Sequence, residues 1–140
     1  MLCAVGSEDL DLVRRAFVAF ERRDAIALAS CFHDDGVFDA VTARVAGAGE
    51  PYVGREGMRR YVEDVARVWE ELRPEPRAFH EVGDGTIVVL GRIYAWGVGR
   101  VVDAPAGWVI RIRDGRIAHA RVYETARGAL EAGGLPPDTV

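Results

Sequence analysis

Acid–base chemistry in this chain would have to come from a short set of side chains. His80 lies in an alternating stretch after a long helical segment, and Glu124 closes the last alternating stretch. Either residue type can serve as a general acid or base when held beside a substrate. His33 stands next to Asp34 and Asp35, where a cationic imidazole suits the C-terminal end of a helix. Cys31-x-His33 has the residue types of a metal site, but no third or fourth ligand lies at suitable spacing, so no metal is expected. Nucleophilic chemistry is poorly served, because the serines are Ser7 and Ser30 alone and no G-x-S-x-G elbow surrounds either. All 18 basic residues are arginine, and Lys, Asn and Gln are absent. That excludes Schiff-base chemistry, the P-loop lysine and side-chain amides as oxyanion donors. Gly97-x-Gly99 lacks the third glycine and the following helix of a dinucleotide fingerprint. It reads as a strand irregularity, and no cofactor is expected.

The frame that must position these residues is a single domain over residues 1–140, with a core at about 8–126 and a C-terminal tail at 127–140. A chain of this length buries roughly two thirds of its unfolded surface, enough for a core without staples. With 49% hydrophobic and 29% charged residues it reads as globular rather than disordered. A formal charge of -4 disfavours broad electrostatic attraction to nucleic acid. No apolar run approaches the ~20 residues of a membrane span. The N-terminus, with Glu8 and Asp9, lacks a signal-peptide pattern, so no membrane role is expected. Cys3 and Cys31 are too few for a disulfide framework, which points to a reducing cytoplasm. The Arg-rich, Lys-free usage is what a GC-rich bacterial genome produces.

Periodicity divides the chain into helices first and strands after. Ser7 is placed to cap a helix that puts Leu10, Val13, Ala16, Phe17 and Phe20 on one face. Asp24 is placed to cap a short second helix carrying Ala25, Leu28, Ala29 and Phe32. His33-Asp34-Asp35-Gly36 reads as a turn, Val37–Val41 as a short strand and Gly47–Pro51 as a loop. Met58, Tyr61, Val62, Val65, Val68, Trp69 and Leu72 recur at helical steps, with Pro74 as the stop. Period-two strands follow at Arg77–Val82, Ile87–Val98, Ala106–Arg113 and Arg116–Glu124. Such an order makes an α+β domain, with a bent antiparallel sheet wrapped around a long helix.

The segments FHDDGVFDAV, YVGREGMRRYVEDV, IRIRDGRIAHARVYE and ARGALEAGGL resemble the SnoaL-like branch of the nuclear transport factor 2-like superfamily. The resemblance runs from about Leu10 to Leu135. It implies a cone-shaped α+β fold with three N-terminal helices packed in a strongly bent antiparallel sheet, a pocket between them, and a homodimer. It does not imply one activity, since the family includes polyketide cyclases, ketosteroid isomerases and limonene epoxide hydrolases. By this resemblance the isomerase base and oxyanion positions fall on Ala40, Ala16 and Trp108, and the hydrolase set on Gly91, Val89 and Val122. None of these can do the corresponding chemistry. Asp39 sits one position from the isomerase base, so a slipped strand would carry it inward.

Which side chains face the pocket depends on the turn at Asp114-Gly115. A two-residue turn pairs Arg113 with Arg116 and turns Ile117, His119, Arg121 and Tyr123 inward. A three-residue loop with a glycine bulge turns Ala118, Ala120, Val122 and Glu124 inward instead, placing Glu124 at the pocket mouth. The bulged register buries fewer polar groups and is favoured on that ground. It gives a mostly apolar pocket lined by Phe38, Tyr52, Tyr61, Val62, Val65, Trp69, Val89, Ile93, Trp108, Ile110 and Val122, fit for a small hydrophobic molecule. The outer sheet face then carries Arg92, Tyr94 and Trp96 with Arg111, Arg113, Arg116 and Arg121, a composition suited to a dimer partner. Two alternatives stand beside simple binding. One is a cyclase-, isomerase- or hydrolase-type enzyme acting on a polyketide- or terpenoid-like molecule through Glu124 or His80. The other is a structural or regulatory dimer with no ligand.

Overall fold

The computed structural model describes the backbone of residues 4–40 and 50–140, with side chains from Glu8 onward. Cys3, Val41 and residues 47–49 of the expected loop lie outside the described residues. Helix α1 runs over Ala4–Glu21, so Ser7 lies inside it rather than capping it. The short α2, Ala25–Ser30, is capped as its sequence predicts: the Ala27 amide donates to the Asp24 carboxylate at 3.0 Å. Strand β1 (Phe32–Asp39) pairs with the two-residue β2 (Tyr52–Val53), and α3 follows at Gly54–Val68. Strands β3 (Glu71–Gly83), β4 (Thr86–Gly97), β5 (Arg100–Arg113) and β6 (Arg116–Tyr123) form a meander. Helix α4 closes the order at Ala126–Ala132.

Among the described residues six strands make one sheet in the order β2-β1-β6-β5-β4-β3. Every pairing is antiparallel except β1 with β6. That pair is parallel because α3 carries the chain from β1 to the far edge, and the meander brings it back alongside β1 in the same direction. The expected His33–Gly36 turn is an excursion inside β1: Phe32 is opposite Ile117, and the next registered pair is Val37 with His119. Gly36 permits it, since a Cβ there would lie 2.9 Å from the Ile117 carbonyl oxygen.

Helix α3 stops at Val68, six residues before Pro74. Trp69 is already extended at φ -111°, ψ 132°, and the Glu70 amide joins the Trp96 carbonyl at 2.8 Å. Leu72, Pro74 and Pro76 therefore belong to a strand that begins earlier than Arg77. Proline is tolerated there because β3 is the sheet edge, where a ladder donor can be missing. Val98-Gly99 proves to be the β4–β5 hairpin turn, with φ of 44° and 75°. That explains the Gly97-x-Gly99 irregularity, although a β-branched residue is an uncommon occupant of the left-handed region.

One apolar cluster fills the space between α1, α2, α3 and the concave sheet face. It includes Val13, Phe20, Met58, Tyr61, Val65, Val89, Trp108 and Ile117. A second cluster lies on the opposite face, where Ala129 and Leu130 of α4 pack on Val88, Leu90 and Val109. Residues 127–140, read from sequence as a tail, thus include a helix that covers part of the sheet.

Candidate functional site

The concave cluster is not completely filled. A cavity of about 70 Å³ lies between α1, α2, α3 and the sheet. Its wall takes Ala16, Phe17 and Phe20 from α1, Leu28 from α2, and Phe32 and Phe38 from β1. Tyr61 comes from α3, Leu72 and Pro74 from β3, and Ile93 from β4. The last two strands contribute Trp108, Ile110, Ile117, Ala120 and Val122. Ala16, Phe17, Phe38 and Pro74 keep partial exposure and mark where the wall meets solvent. The wall is braced by aromatic contacts. Phe17 meets Trp108 edge-on with centroids 5.1 Å apart, Phe38 meets Tyr61 likewise at 4.7 Å, and Phe20 stacks on Tyr61 at 5.2 Å.

The strand register combines both readings of the Asp114-Gly115 turn. Arg113 pairs with Arg116 across a two-residue turn in which Asp114 and Gly115 have φ of 52° and 76°. One step later Ala118 has no opposite number: Ile112 faces Ile117, but Arg111 faces His119. The three-residue loop is thus corrected to a tight turn followed by a bulge within β6. Both Ile117 and the pair Ala120 and Val122 consequently face the cavity. His119 and Arg121 do not line it.

Six residues expected at the pocket are on the cavity wall: Phe38, Tyr61, Ile93, Trp108, Ile110 and Val122. Tyr52, Val62, Val65, Trp69 and Val89 are buried in the same cluster but off the wall. Tyr52 stands behind Tyr61, ring centroids 5.3 Å apart, and its hydroxyl donates to Asp64 Oδ2 at 2.6 Å. Burial, followed by that hydrogen bond, pushes the Tyr52 phenol well above its ordinary range. The Trp69 indole Nε1 is buried with no hydrogen-bond partner among the described residues. The helical spacing put Ala16, Phe17 and Phe20 on one helix face, Ala16 also matching an isomerase position by resemblance, and Leu72 and Pro74 at a helix end. Their place on the wall follows from the strand that begins at Glu71.

The candidate acid–base residues are spread around the sheet. Glu124 is exposed just beyond β6 and is not part of the cavity wall. His80 lies opposite Val88 on the face that carries α4, and its Nε2 is buried without a hydrogen-bond partner among the described residues. Asp39 is opposite Arg121 and forms an ion pair with it at 3.6 Å, while neighbouring Ala40 is the buried residue. His33 Nε2 meets the Arg113 carbonyl, tying the β1 excursion to the β5–β6 hairpin. The Cys31 thiol, which contacts the Ala27 carbonyl, is pushed up by burial. No group of three or more His, Cys, Asp or Glu side chains among the described residues is arranged to hold a metal ion. No helix there is long and apolar enough to cross a membrane.

Comparison with known proteins agrees with this architecture. The SnoaL-like domain family matches over residues 13–120. An uncharacterized protein of Mycobacterium tuberculosis is 29% identical over 137 residues, covering 89% of this chain and 94% of its own. A solved NTF2-like protein of unknown function from Burkholderia pseudomallei is 25% identical, with a TM-score of 0.75 over 91% of this chain and 96% of its own. TerC, solved as a co-crystal with polyporic acid, is 22% identical with a TM-score of 0.74, covering 84% of this chain and 91% of its own. That likeness speaks to the fold.

Proposed function

The chain belongs to the SnoaL-like domain family, and we propose that it holds a small, mostly apolar molecule in the cavity behind α1 and α3. The supporting observation is the composition of the wall. Among the described residues its side-chain heteroatoms are the Tyr61 hydroxyl and the Trp108 indole nitrogen, so shape and apolar contact would carry the affinity. At about 70 Å³ the space suits a molecule of few heavy atoms. Drug-sized ligand sites run to ~300–1,000 Å³, so a larger occupant requires Phe17 or Phe38 to swing aside. TerC, which shares the fold, co-crystallized with polyporic acid, and a small-molecule role is in keeping with that. An enzyme of the cyclase, isomerase or hydrolase kind has less support, because Glu124, His80 and Asp39 all lie off the wall.

The test uses Ala120→Leu, which adds bulk from the cavity wall. Titration with benzene or indole, followed by amide chemical shifts, should move the lining residues of the native protein and leave the variant silent. The reading fails if the native protein ignores both probes while Ala120→Leu unfolds at higher temperature. That result marks a slightly underfilled core, as a structural or regulatory dimer without a ligand would have. We further propose a homodimer through the part of the outer sheet face that α4 leaves uncovered, around Arg92, Tyr94 and Trp96.

A further inference from the structure

The described wall is apolar, yet a cation off the wall is bonded to two of its residues. Arg23 follows α1, and its guanidinium spans two elements that build the wall. Its Nη1 donates to the Phe20 carbonyl at 3.1 Å and its Nη2 to the Leu72 carbonyl at 2.9 Å. The carbon between them lies 4.6 Å from the centroid of the Phe20 ring, which itself stacks on Tyr61. Among the described residues no carboxylate lies within ion-pair distance of Arg23, unlike Arg59, Arg67, Arg73, Arg92 and Arg127. The acid nearest in influence, Glu71, is engaged by Arg73 at 2.6 Å and by the Trp96 indole at 3.2 Å. Burial works against the charge on Arg23, and the Tyr61 phenol is close enough to act on it electrostatically.

The backbone reinforces the point. Arg23 has φ of 56°, and the Asp24 amide reaches back to the Ala19 carbonyl at 2.9 Å, which is the helix-ending arrangement where glycine usually stands. A non-glycine residue there is held against a local preference. Its two hydrogen bonds to wall carbonyls leave the Nε–H without a partner among the described residues. In an otherwise apolar site, a few convergent polar groups at one end fix the orientation of a ligand. A guanidinium with an unused donor matches a carboxylate.

Building on the pocket reading above, we infer that the ligand is an amphipathic acid. Its apolar body occupies the cavity and its carboxylate, or an equivalent anion, meets Arg23 behind Phe20 and Leu72. The probes are pentanoate and 1-pentanol, matched in length and differing in charge, titrated against the native protein by amide chemical shifts. Pentanoate is expected to bind ~10-fold more tightly than pentanol, the scale of one charge-assisted hydrogen bond. Arg23→Gly suits the local backbone, so it folds readily; it should bring pentanoate down to the level of pentanol and leave pentanol unchanged. Arg23→Lys should keep part of the preference for the acid. Equal binding of the two probes to the native protein overturns the inference and leaves the apolar pocket standing. Equal weakening of both probes by Arg23→Gly overturns it too, because Arg23 is then only a tie between α1 and β3. Binding of neither probe removes the pocket reading and this inference together.

Discussion

Tyr52 shows what a single buried hydroxyl does in this protein. Its side chain is 3% exposed, its oxygen is 2.6 Å from Asp64, and Asp64 is shared with Arg67 at 2.7 Å. This chain of contacts ties the short edge strand β2 to the middle of α3, behind the Tyr61 ring that walls the cavity. Because burial and the Asp64 hydrogen bond raise the phenol in the folded state, the native protein retains a proton that the unfolded chain loses near pH ~10. The associated stability is complete below that pH and is lost as pH rises through the folded-state value. Urea unfolding of the native protein between pH 7 and 11 should therefore show a decline at the alkaline end beyond that of Tyr52→Phe. At neutral pH the substitution should cost about 1.5–3 kcal/mol, the range for a hydrogen bond to a charged group. Parallel pH profiles for the two proteins would show that Tyr52 titrates as an ordinary phenol.

At the scale of elements, α4 is held on the sheet by absent side chains. A Cβ on Gly107 would lie 2.3 Å from Ala129 Cβ, and one on Gly133 would lie 2.2 Å from Val88 Cγ2. Helix α4 is capped by Thr125, whose hydroxyl accepts from the Gly128 amide at 3.0 Å, and it buries Ala129 and Leu130. Seven residues form no stable helix alone, so its existence depends on this docking. Gly107→Ala should force the helix outward at a cost of about 1–3 kcal/mol, the usual range for overpacking. Hydrogen exchange should show lost protection in α4 and preserved protection at Val89 and Trp108 on the strands beneath. Unchanged α4 protection would mean the helix has room to shift and that Gly107 does not set its distance.

At the scale of the whole molecule, α4 divides the outer sheet face into a covered part and an open part. Trp96, 43% exposed with its indole nitrogen on Glu71 at 3.2 Å, stands in the open part beside Val101. In the proposed dimer this patch is buried. Trp96→Arg places a cation near Glu71, so the lone subunit should tolerate it, whereas the dimer would bury an additional charge in each half. Light scattering after size exclusion should report monomers for the variant and dimers for the native chain. A variant that remains dimeric would move the interface elsewhere on the surface.

Local sequence determined much of this protein. Helical spacing from Met58 to Val65 marks the buried face of α3, Asp24 marks the cap of α2, and alternation along Val89, Gly91, Ile93 and Ala95 separates the two sheet faces. These signals sit within one or two turns of chain, and nearest neighbours suffice to set them. The end of α3 was not legible, because Trp69 and Leu72 continue its helical spacing while the Glu70 amide is claimed by Trp96, far along the chain. The wall of the cavity was legible only in part. Asp114-Gly115 suits a tight turn and a bulged loop alike, and the chain uses the turn and then bulges at Ala118. That choice lets Ile117 and Ala120 both be buried, a gain that exists only once β1, β5 and the helices surround them. The Arg23 side chain and α4 on the outer face depend in the same way on distant partners, Leu72 for one and Gly107 for the other. Patterning over neighbouring residues fixes which elements form and which face is apolar; contacts between residues far apart in sequence decide where the cavity opens and what stands behind its wall.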